Sequence, residues 1–412
     1  MKNRWLIALC AVGIHLSIGS VYAWSNFTNP LSEEFGWSSS QVQFTFSLAI
    51  LFLGLSAAFL GWFVEKYGPR VAGITAAIFF GIGVFGSGFA IQLESLWLLY
   101  FFYGVLGGIG LGVGYIAPVS TLVKWFPDRR GLATGMAIMG FGFAAAIASP
   151  VMDFLIGSVG LAMTFYALGI AYFSVMILSS LYIAKPPKDW KPDGYEEKEK
   201  KQEKKDLANM RAKESLKTKR FYYLWVMLFI NVTCGIAVIS AAKPLAEESV
   251  GISPGNAALL VGVMGIFNGA GRIAWASASD YIGRANTYMI FFLLQIALFV
   301  LLPWTTAAPL FIIFLAIIYT CYGGGFSTVP AFIGDLFGTK ELGAIHGYIL
   351  TAWAAAGLVG PQFAAFMKDT TGSYETSLIF FAGLFVLALV VSILTKVDIR
   401  KKRQAMSDEK AS

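Results

Sequence analysis

An arginine lies within the largely apolar stretch FNGAGRIAWASASDYIGR, residues 267–284. Arg272 follows a run that is nearly all apolar, Ala257 to Gly271, and the first acidic residue after it is Asp280. A guanidinium stays charged in proteins, and an arginine at the centre of a membrane span costs about 2.5–3.5 kcal/mol on insertion scales. Such a charge is normally paired within the protein or binds an anionic ligand. We interpret Arg272 as an anion-binding group; a helix-end arginine that reaches water is the alternative.

A second polar residue accompanies Arg272. Asn268 precedes it by one helical turn, and the spacing i, i+4 places both side chains on one helix face. An amide beside a guanidinium suits a small carboxylate that carries a second polar group. An interhelical hydrogen bond is the alternative interpretation of Asn268.

The composition places these residues in a polytopic α-helical membrane protein. The 412 residues are 57% hydrophobic and 13% charged, with a mean hydropathy of +0.67, whereas soluble chains carry about 25% charged residues. Many runs approach the roughly 20 apolar residues that span a bilayer, and none alternates as the strands of a membrane barrel do. The net charge of +7 comes from lysines and arginines that lie mainly between these runs, which indicates membrane topology and not nucleic-acid binding.

Twelve apolar spans divide the chain. The first six are predicted at 5–28, 41–64, 71–92, 95–122, 130–156 and 160–184, and the last six at 220–246, 254–279, 286–305, 308–333, 341–367 and 374–396. The first stretch resembles a signal peptide but is long for one and lacks a clean cleavage site, so we interpret it as a retained transmembrane helix. The charged stretch between the sets predicts a solvated, partly helical linker at 185–219, which divides the chain into 1–184 and 220–412.

Lysines and arginines mark one side of the membrane. They concentrate in the linker, in the C-terminal RKKR and in the loops of that side, at Lys2, Arg4, Lys66, Arg70, Lys124, Arg129, Arg130, Arg284 and Lys340. The loops of the other side carry Glu33, Glu34, Glu94, Glu247 and Glu248, with Lys243 and Lys368 as exceptions. By the positive-inside rule both termini are predicted to be cytoplasmic, in an integral multi-pass protein of the cell membrane.

The two sets of six spans repeat each other. GWFVEKYGPR (61–70) and ASASDYIGR (276–284) each have an acid four residues after a small residue, followed by Gly and Arg. Two six-span sets of the same orientation form a parallel repeat, and the first motif resembles the signature of the major facilitator superfamily. The resemblance implies an all-α fold of twelve transmembrane helices in two six-helix bundles. Four charged residues of these motifs are predicted to gate the cytoplasmic side by pairing at helix ends: Glu65, Arg70, Asp280 and Arg284. Topology signalling is the alternative, and it explains the arginines but not the acids.

Three stretches and the arginine of the eighth span resemble one particular family within this superfamily. GSVYAWSNFTNPL (19–31), GLGVGYIAP (110–118) and YTCYGGGFSTVP (319–330) resemble the oxalate–formate antiporter family, a relative of the monocarboxylate transporters. Members bind small carboxylates between aromatic side chains and one or two cations. The resemblance implies that Arg272 is the binding arginine and that the binding aromatics include Tyr22, Trp24, Tyr115 and Tyr322. Aromatic packing is the alternative for each of them.

Three positions depart from the family pattern. Trp353, in LTAWAAAGL (350–358), replaces a family lysine of helix eleven, and Asn26 and Asn268 stand where animal monocarboxylate transporters have Lys and Asp. Two cations in a low-dielectric cavity balance a dicarboxylate, and one balances a monocarboxylate. With Arg272 as the single central cation and Trp353 lining the site, the expected substrate is a monocarboxylate such as lactate, pyruvate, glycolate or formate.

Energy coupling is open at this stage. Asn26 and Asn268 cannot titrate, so a proton must travel with the substrate or on another acid. The candidate groups are Asp153 in the fifth span and an outer cluster formed by Glu247, Glu248, Lys243 and Lys368. We favour proton symport; exchange of two carboxylates, such as oxalate for formate, is the alternative.

Other functions find little support in the sequence. GIGVFG (81–86) matches a dinucleotide-binding motif but lies within an apolar span, where helix packing explains it. The sequence has no G-x-x-x-x-G-K-[ST] loop, its two histidines, His15 and His346, are far apart, and its three cysteines form no metal pattern. No cofactor or metal is therefore expected. A receptor for the same acid would need a fused signalling domain, and an enzyme would need a catalytic constellation.

Overall fold

The computed structural model describes residues 2–37, 39–187, 190–192 and 207–411, which are almost entirely helical. The first half contains α1 (Arg4–Gly19), α2 (Ser25–Phe35), α3 (Ser39–Tyr67), α4 (Pro69–Gln92), α5 (Leu96–Leu99), α6 (Gly108–Trp125) and α7 (Arg130–Tyr182). The second half contains α8 (Ala212–Ser215), α9 (Lys219–Val250), α10 (Pro254–Ile282), α11 (Arg284–Leu301), α12 (Ala308–Phe337), α13 (Leu342–Thr371) and α14 (Glu375–Ala411). Short 3-10 turns occur at Ser20–Ala23 and Leu302–Trp304, and a π-helix joins α5 to α6 at Tyr100–Gly107. The side chains of Asp153, Lys243 and Glu247 lie outside the described residues.

Eleven helical segments in the described part of the chain are long and apolar enough to cross a membrane. α10, a 29-residue helix that carries Arg272, coincides with the remaining predicted span at 254–279. These helices confirm the predicted all-α fold of twelve transmembrane helices. The prediction was possible because long apolar runs separated by charged loops leave few other folds open.

One region differs from the predicted spans. The predicted span 5–28 is interrupted, since α1 ends at Gly19 and α2 begins at Ser25. The predicted spans 130–156 and 160–184 correspond to two helices within α7, which meet at a break in the backbone at Gly160, where φ is 79° and ψ is 174°. Glycine adopts that backbone region at no steric cost, so the chain changes direction there without a separate loop.

Two long helix pairs join the first half to the second. α3 packs along α13, and α7 packs along α10. The contacts are close: a Cβ added to Gly142 of α7 would lie 2.6 Å from the Cα of Gly269 on α10. Small residues allow this approach between membrane helices, whose association depends on packing. We propose that 1–184 and 220–412 form the two bundles and that the bundles meet along these two helix pairs.

The two ends of the helical bundle carry different charged groups. The end near both termini, which we name the terminus face, carries the ion pairs Arg4–Asp128 (3.2 Å) and Arg220–Asp398 (2.5 Å). The other end, which we name the opposite face, carries an ion pair between Lys368 of α13 and Glu248 of α9.

Part of the predicted linker at 185–219 is attached to the terminus face. The backbone N–H groups of Leu207 and Met210 donate to the carbonyls of Asp335 and Phe337 at 2.9 and 2.8 Å. Leu207 is also buried. The linker is therefore solvated over less of its length than its charge suggests, because its last residues cover the end of α12.

Candidate functional site around Arg272

Arg272 is fully buried on α10. Its Nε donates a hydrogen bond to Asn268 Oδ1 at 3.1 Å, as the i, i+4 spacing predicts, and its Nη1 donates to the carbonyl of Ile138 on α7 at 3.3 Å. Nη2 has no hydrogen-bond partner among the described residues. None of the ion pairs found in that part of the chain includes this guanidinium. The arginine therefore neither reaches water nor meets a carboxylate there.

Aromatic rings enclose the guanidinium. Phe141 of α7 and Phe326 of α12 each place the ring centroid 5.5 Å from Arg272 Cζ, a distance at which a ring face attracts a cation. The indole of Trp353 on α13 lies 5.5 Å from the Phe141 ring and 4.6 Å from the Phe326 ring. Sequence reasoning missed both phenylalanines. Phe326 follows Tyr322 by one helical turn, and that spacing was a signal that could have found it.

Three predicted tyrosines lie in the same region. Tyr22 Oη and Tyr322 Oη are 3.1 Å apart, which forms a hydrogen bond between the two halves. The ring of Tyr115 on α6 lies 5.4 Å from Trp353. The hydroxyls of Tyr22 and Tyr115 are close enough to Arg272 to interact with its charge. We name as the Arg272 cluster the residues Tyr22, Tyr115, Phe141, Asn268, Arg272, Tyr322, Phe326 and Trp353.

Three buried groups of the Arg272 cluster lack hydrogen-bond partners among the described residues: Arg272 Nη2, Trp353 Nε1 and Tyr115 Oη. Tyr115 Oη is near the guanidinium but does not meet it with hydrogen-bond geometry. Buried polar groups are nearly always paired, and one left unpaired costs about 1–3 kcal/mol. All three groups can donate a hydrogen bond. A carboxylate suits them as an acceptor because it would also neutralise the guanidinium.

Trp24 is the predicted binding residue that lies elsewhere. Its indole packs 4.4 Å from the ring of Tyr103 and 5.5 Å from that of Phe27, within the first half. Asn26, at a position the family comparison singled out, donates to Ser149 Oγ at 2.9 Å. Both side chains thus have partners of their own. Among the described residues, none of the ring contacts or hydrogen bonds found for them involves Arg272.

At the terminus face, Asp280 of α10 contacts the start of α7. Its Oδ1 accepts a hydrogen bond from the N–H of Gly131 at 2.9 Å and its Oδ2 accepts one from Leu132 at 3.1 Å. A carboxylate is stabilised there by the unpaired N–H groups and the positive end of the helix dipole. Arg284 lies 2.5 Å from Asp280 Oδ1 and 3.2 Å from Asp335 Oδ2. The predicted gating residues Asp280 and Arg284 are thus joined in one network across the two halves.

Glu65 of α3 makes the corresponding contact with α13. Its Oε1 accepts from the N–H of Gly343 at the start of α13 at 2.9 Å, and its Oε2 accepts from Lys124 Nζ at 2.7 Å. The acid of each repeated motif therefore caps the first turn of a helix in the opposite half. Arg70, the fourth predicted gating residue, is exposed and forms no ion pair among the described residues.

The proton-coupling candidates lie at the opposite face or outside the described residues. Lys368 pairs with Glu248 and donates to the carbonyl of Gly372 at 3.0 Å. The Glu248 side chain is 46% exposed, so water screens this pair strongly. The side chain of Asp153 lies outside the described residues.

A charged cavity of about 410 Å³ lies at the terminus face, apart from the Arg272 cluster. Its lining carries both signs of charge and includes Asp280, Arg284, Asp335, Lys396 and Arg400. Arg272, by contrast, is wholly enclosed. We place the candidate site at the Arg272 cluster, because a fully buried cation and two further unpaired buried donors, Tyr115 Oη and Trp353 Nε1, lie together there.

Comparison with known proteins agrees with these observations. Residues 7–240 and 224–411 match the family model described as Major Facilitator Superfamily. The chain is 28% identical over 419 residues to the oxalate:formate antiporter of Oxalobacter formigenes, a match that covers 100% of this chain and 97% of that protein. It is 24% identical to monocarboxylate transporter 12 of Rattus norvegicus, over 78% of this chain and 70% of that one. Its fold is similar to the crystal structure of the Escherichia coli fucose:proton symporter FucP, with a TM-score of 0.72, 14% identity, and coverage of 96% of this chain and 99% of that chain.

Proposed function

The chain belongs to the major facilitator superfamily and is a secondary transporter, and we propose that its substrate is a small monocarboxylate anion of the lactate and pyruvate class. The observation that carries the proposal is the burial of Arg272 with its Nη2 amino group unpaired and no carboxylate beside it among the described residues. A permanent charge in that setting is stabilised when an anion binds.

The number of charges in the Arg272 cluster supports a monocarboxylate. Arg272 is its single cation, and Trp353 brings apolar area and one N–H where the family pattern has a lysine. A dicarboxylate would leave its second negative charge desolvated without a partner, which is unfavourable at low dielectric. The names of two similar proteins, an oxalate:formate antiporter and a monocarboxylate transporter, support a small carboxylate as the ligand, and the choice of a monocarboxylate rests on the single cation.

The movement proposed is alternating access, in which the two bundles rock around the Arg272 cluster. Asp280 and Glu65 each cap a helix of the opposite half at the terminus face. These contacts would hold that face closed and would have to break before substrate could leave through it. We propose that the terminus face is cytoplasmic, because lysines and arginines concentrate there.

For energy coupling, proton symport is the preferred mechanism and carboxylate exchange is the alternative. Exchange is favoured by the similarity to a protein that is named as an oxalate:formate antiporter. The single fixed cation serves either mechanism. In symport, a proton and a monocarboxylate together carry no net charge across the membrane.

Uptake by purified protein in proteoliposomes tests the function and separates the two mechanisms. Labelled lactate and labelled oxalate are supplied outside vesicles that contain no carboxylate, with and without an inward proton gradient. We expect lactate to accumulate above equilibrium only when the gradient is present. Uptake that appears only after preloading with a second carboxylate would identify an obligate exchanger. Absence of lactate movement under every condition would contradict the proposed substrate class.

A further inference from the structure

The two histidines of the chain meet at one tyrosine of the Arg272 cluster. His15 of α1 stacks on Tyr115, with ring centroids 5.1 Å apart and an interplanar angle of 18°. His346 of α13 lies 5.7 Å from the same ring. Both imidazoles are fully buried. Two residues that are far apart in sequence, one in each half, therefore flank a residue of the candidate site.

The imidazoles have more hydrogen-bonding atoms than partners. His15 Nε2 lies 3.1 Å from the carbonyl oxygen of Tyr115, but His15 Nδ1 has no partner among the described residues. Both ring nitrogens of His346 also lack partners in that part of the chain. A neutral imidazole has one donor and one acceptor nitrogen. A buried phenyl ring would fill the same space without the cost of about 1–3 kcal/mol for each unpaired group, so packing alone does not explain the two histidines.

Few other groups near the pair could take up a proton. His15 is close enough to Arg272 for an electrostatic interaction with its positive charge, and His346 is close enough to His15 for the two imidazoles to interact. At the terminus face, Glu65 caps the helix three residues before His346 and is paired with Lys124. Among the described residues, the titratable or charged groups of the Arg272 cluster are Tyr22, Tyr115, Arg272 and Tyr322, and those at the nearby helix end are Glu65 and Lys124. Of these, the carboxylate is engaged at the helix end, and free tyrosine, lysine and arginine side chains have pKa values of about 10 or higher. Histidine is the side chain whose unperturbed charge change falls near neutral pH.

We propose that His15 and His346 hold the proton that crosses the membrane with the carboxylate. The proposal rests on the function proposed above and supplies the proton site that Asn26 and Asn268 cannot provide. Without substrate, burial disfavours a charged imidazole, and the positive charge of Arg272 opposes a second charge on His15 as well. A bound carboxylate neutralises Arg272, and the lone pair of a free ring nitrogen then accepts a proton. The carboxylate and the proton leave together on the other side, where the imidazole returns its proton to water.

Proteoliposome transport by histidine variants tests this assignment. His15→Gln, His346→Gln and the double variant keep hydrogen-bonding capacity but cannot titrate, and Tyr348→Phe on α13 is the matched control. With an inward gradient of about one pH unit, a transporter that moves one proton per anion concentrates lactate about tenfold. We expect that ratio for the wild type and for Tyr348→Phe. In the double variant the ratio should fall to about one, while exchange of labelled for unlabelled lactate without a gradient persists.

The outcomes separate the two proposals. Full accumulation by the double variant would overturn the histidine assignment and leave the substrate class intact. Exchange without accumulation by the wild type would mean that no proton is carried, which also overturns the assignment. A wild type that neither accumulates nor exchanges lactate would overturn the proposed function and this assignment with it.

A spectroscopic measurement on the unaltered protein covers the case in which the variants do not fold. The chain has two histidines, so 15N-histidine labelling, after removal of any affinity tag, gives two imidazole spin systems. Tryptophan fluorescence reports lactate binding independently. At neutral pH we expect saturating lactate to change at least one imidazole from the neutral to the protonated nitrogen pattern. Binding by fluorescence with two unchanged imidazole patterns would overturn the assignment.

Discussion

Arg272 and Arg284 are both buried, but they differ in what surrounds the charge. Arg284 is 8% exposed and pairs with Asp280 and Asp335, and it also donates to the hydroxyl of Ser279. Arg272 is 0% exposed and meets an amide, a backbone carbonyl and two ring faces. No carboxylate among the described residues forms an ion pair with it.

We propose that this difference separates a charge that supports the structure from one that binds a ligand. The two carboxylates around Arg284 supply the compensation that a desolvated cation needs. Arg272 obtains only partial compensation from neutral dipoles and ring faces. We propose that its unpaired Nη2 amino group, together with the unpaired groups of Tyr115 and Trp353, donates to an anion. Single substitutions of these and related buried residues test the difference, and they follow from the largest expected effect to the smallest.

Replacing Arg272 should have the largest effect. We expect Arg272→Gln to abolish lactate uptake while the protein still inserts and folds, with a loss of about 2–5 kcal/mol in binding free energy, as for one partner of a buried charge pair. Arg272→Lys should restore little, because a point charge does not reproduce the two-pronged guanidinium contact. Equilibrium binding and uptake in proteoliposomes measure both variants, with size-exclusion chromatography as the folding control. Normal transport by the glutamine variant would refute the site.

Replacing Arg284 should affect stability first and substrate binding little. Arg284→Gln leaves Asp280 and Asp335 without their shared cation, and we expect a loss of about 1–3 kcal/mol in unfolding free energy, since partial exposure of the acids moderates the cost. Arg70→Gln is the matched control, because Arg70 is the corresponding motif arginine and is exposed. It should change stability by less than about 0.5 kcal/mol. Thermal unfolding in detergent compares the two, and equal effects would show that the Arg284 network adds nothing.

Replacing Trp353 should change selectivity and not the presence of transport. Trp353→Lys adds a second cation beside Arg272, so oxalate should gain about tenfold relative to lactate in competition assays, which corresponds to about 1.4 kcal/mol. Trp353→Met is the control for loss of the ring without gain of charge. If oxalate gains no more in the lysine variant than in the methionine variant, the number of cations at this position does not set the preference between a monocarboxylate and a dicarboxylate.

The sequence predicted the helices well and the site in part. Hydropathy marks membrane helices strongly because each must satisfy its own backbone. The pairing of Asn268 with Arg272 follows from helical spacing within one element. The same rule could have separated Tyr22 from Trp24: residues two apart on a helix do not share a face, and their rings indeed pack in different regions.

The parts that the sequence left unpredicted depend on contacts between distant helices. Phe141 and Phe326 are ordinary apolar residues of their own helices, and they meet Arg272 only because α7, α10 and α12 pack together. The meeting of His15 and His346 at Tyr115 also requires α1 and α13 to approach α6 from opposite halves. Helical spacing places Phe326 beside Tyr322, but no spacing within one helix brings the two phenylalanines to Arg272 or the two histidines to Tyr115.

The smallest expected effect distinguishes two buried tyrosine hydroxyls. The hydroxyl of Tyr288 donates to the carbonyl of Gly325 at 2.6 Å, whereas that of Tyr115 has no partner among the described residues. Tyr288→Phe should lower the unfolding free energy by about 1 kcal/mol and leave lactate affinity unchanged, because a paired carbonyl loses its donor. Tyr115→Phe should leave stability unchanged or slightly higher, since it removes an unpaired buried group, and should weaken lactate binding by about 0.5–1.5 kcal/mol, the net value of one hydrogen bond. Thermal unfolding and tryptophan fluorescence titration measure both quantities on both variants. If Tyr115→Phe destabilises the protein and leaves lactate affinity intact, its hydroxyl serves the fold, and the donors around Arg272 are fewer than the proposed function requires.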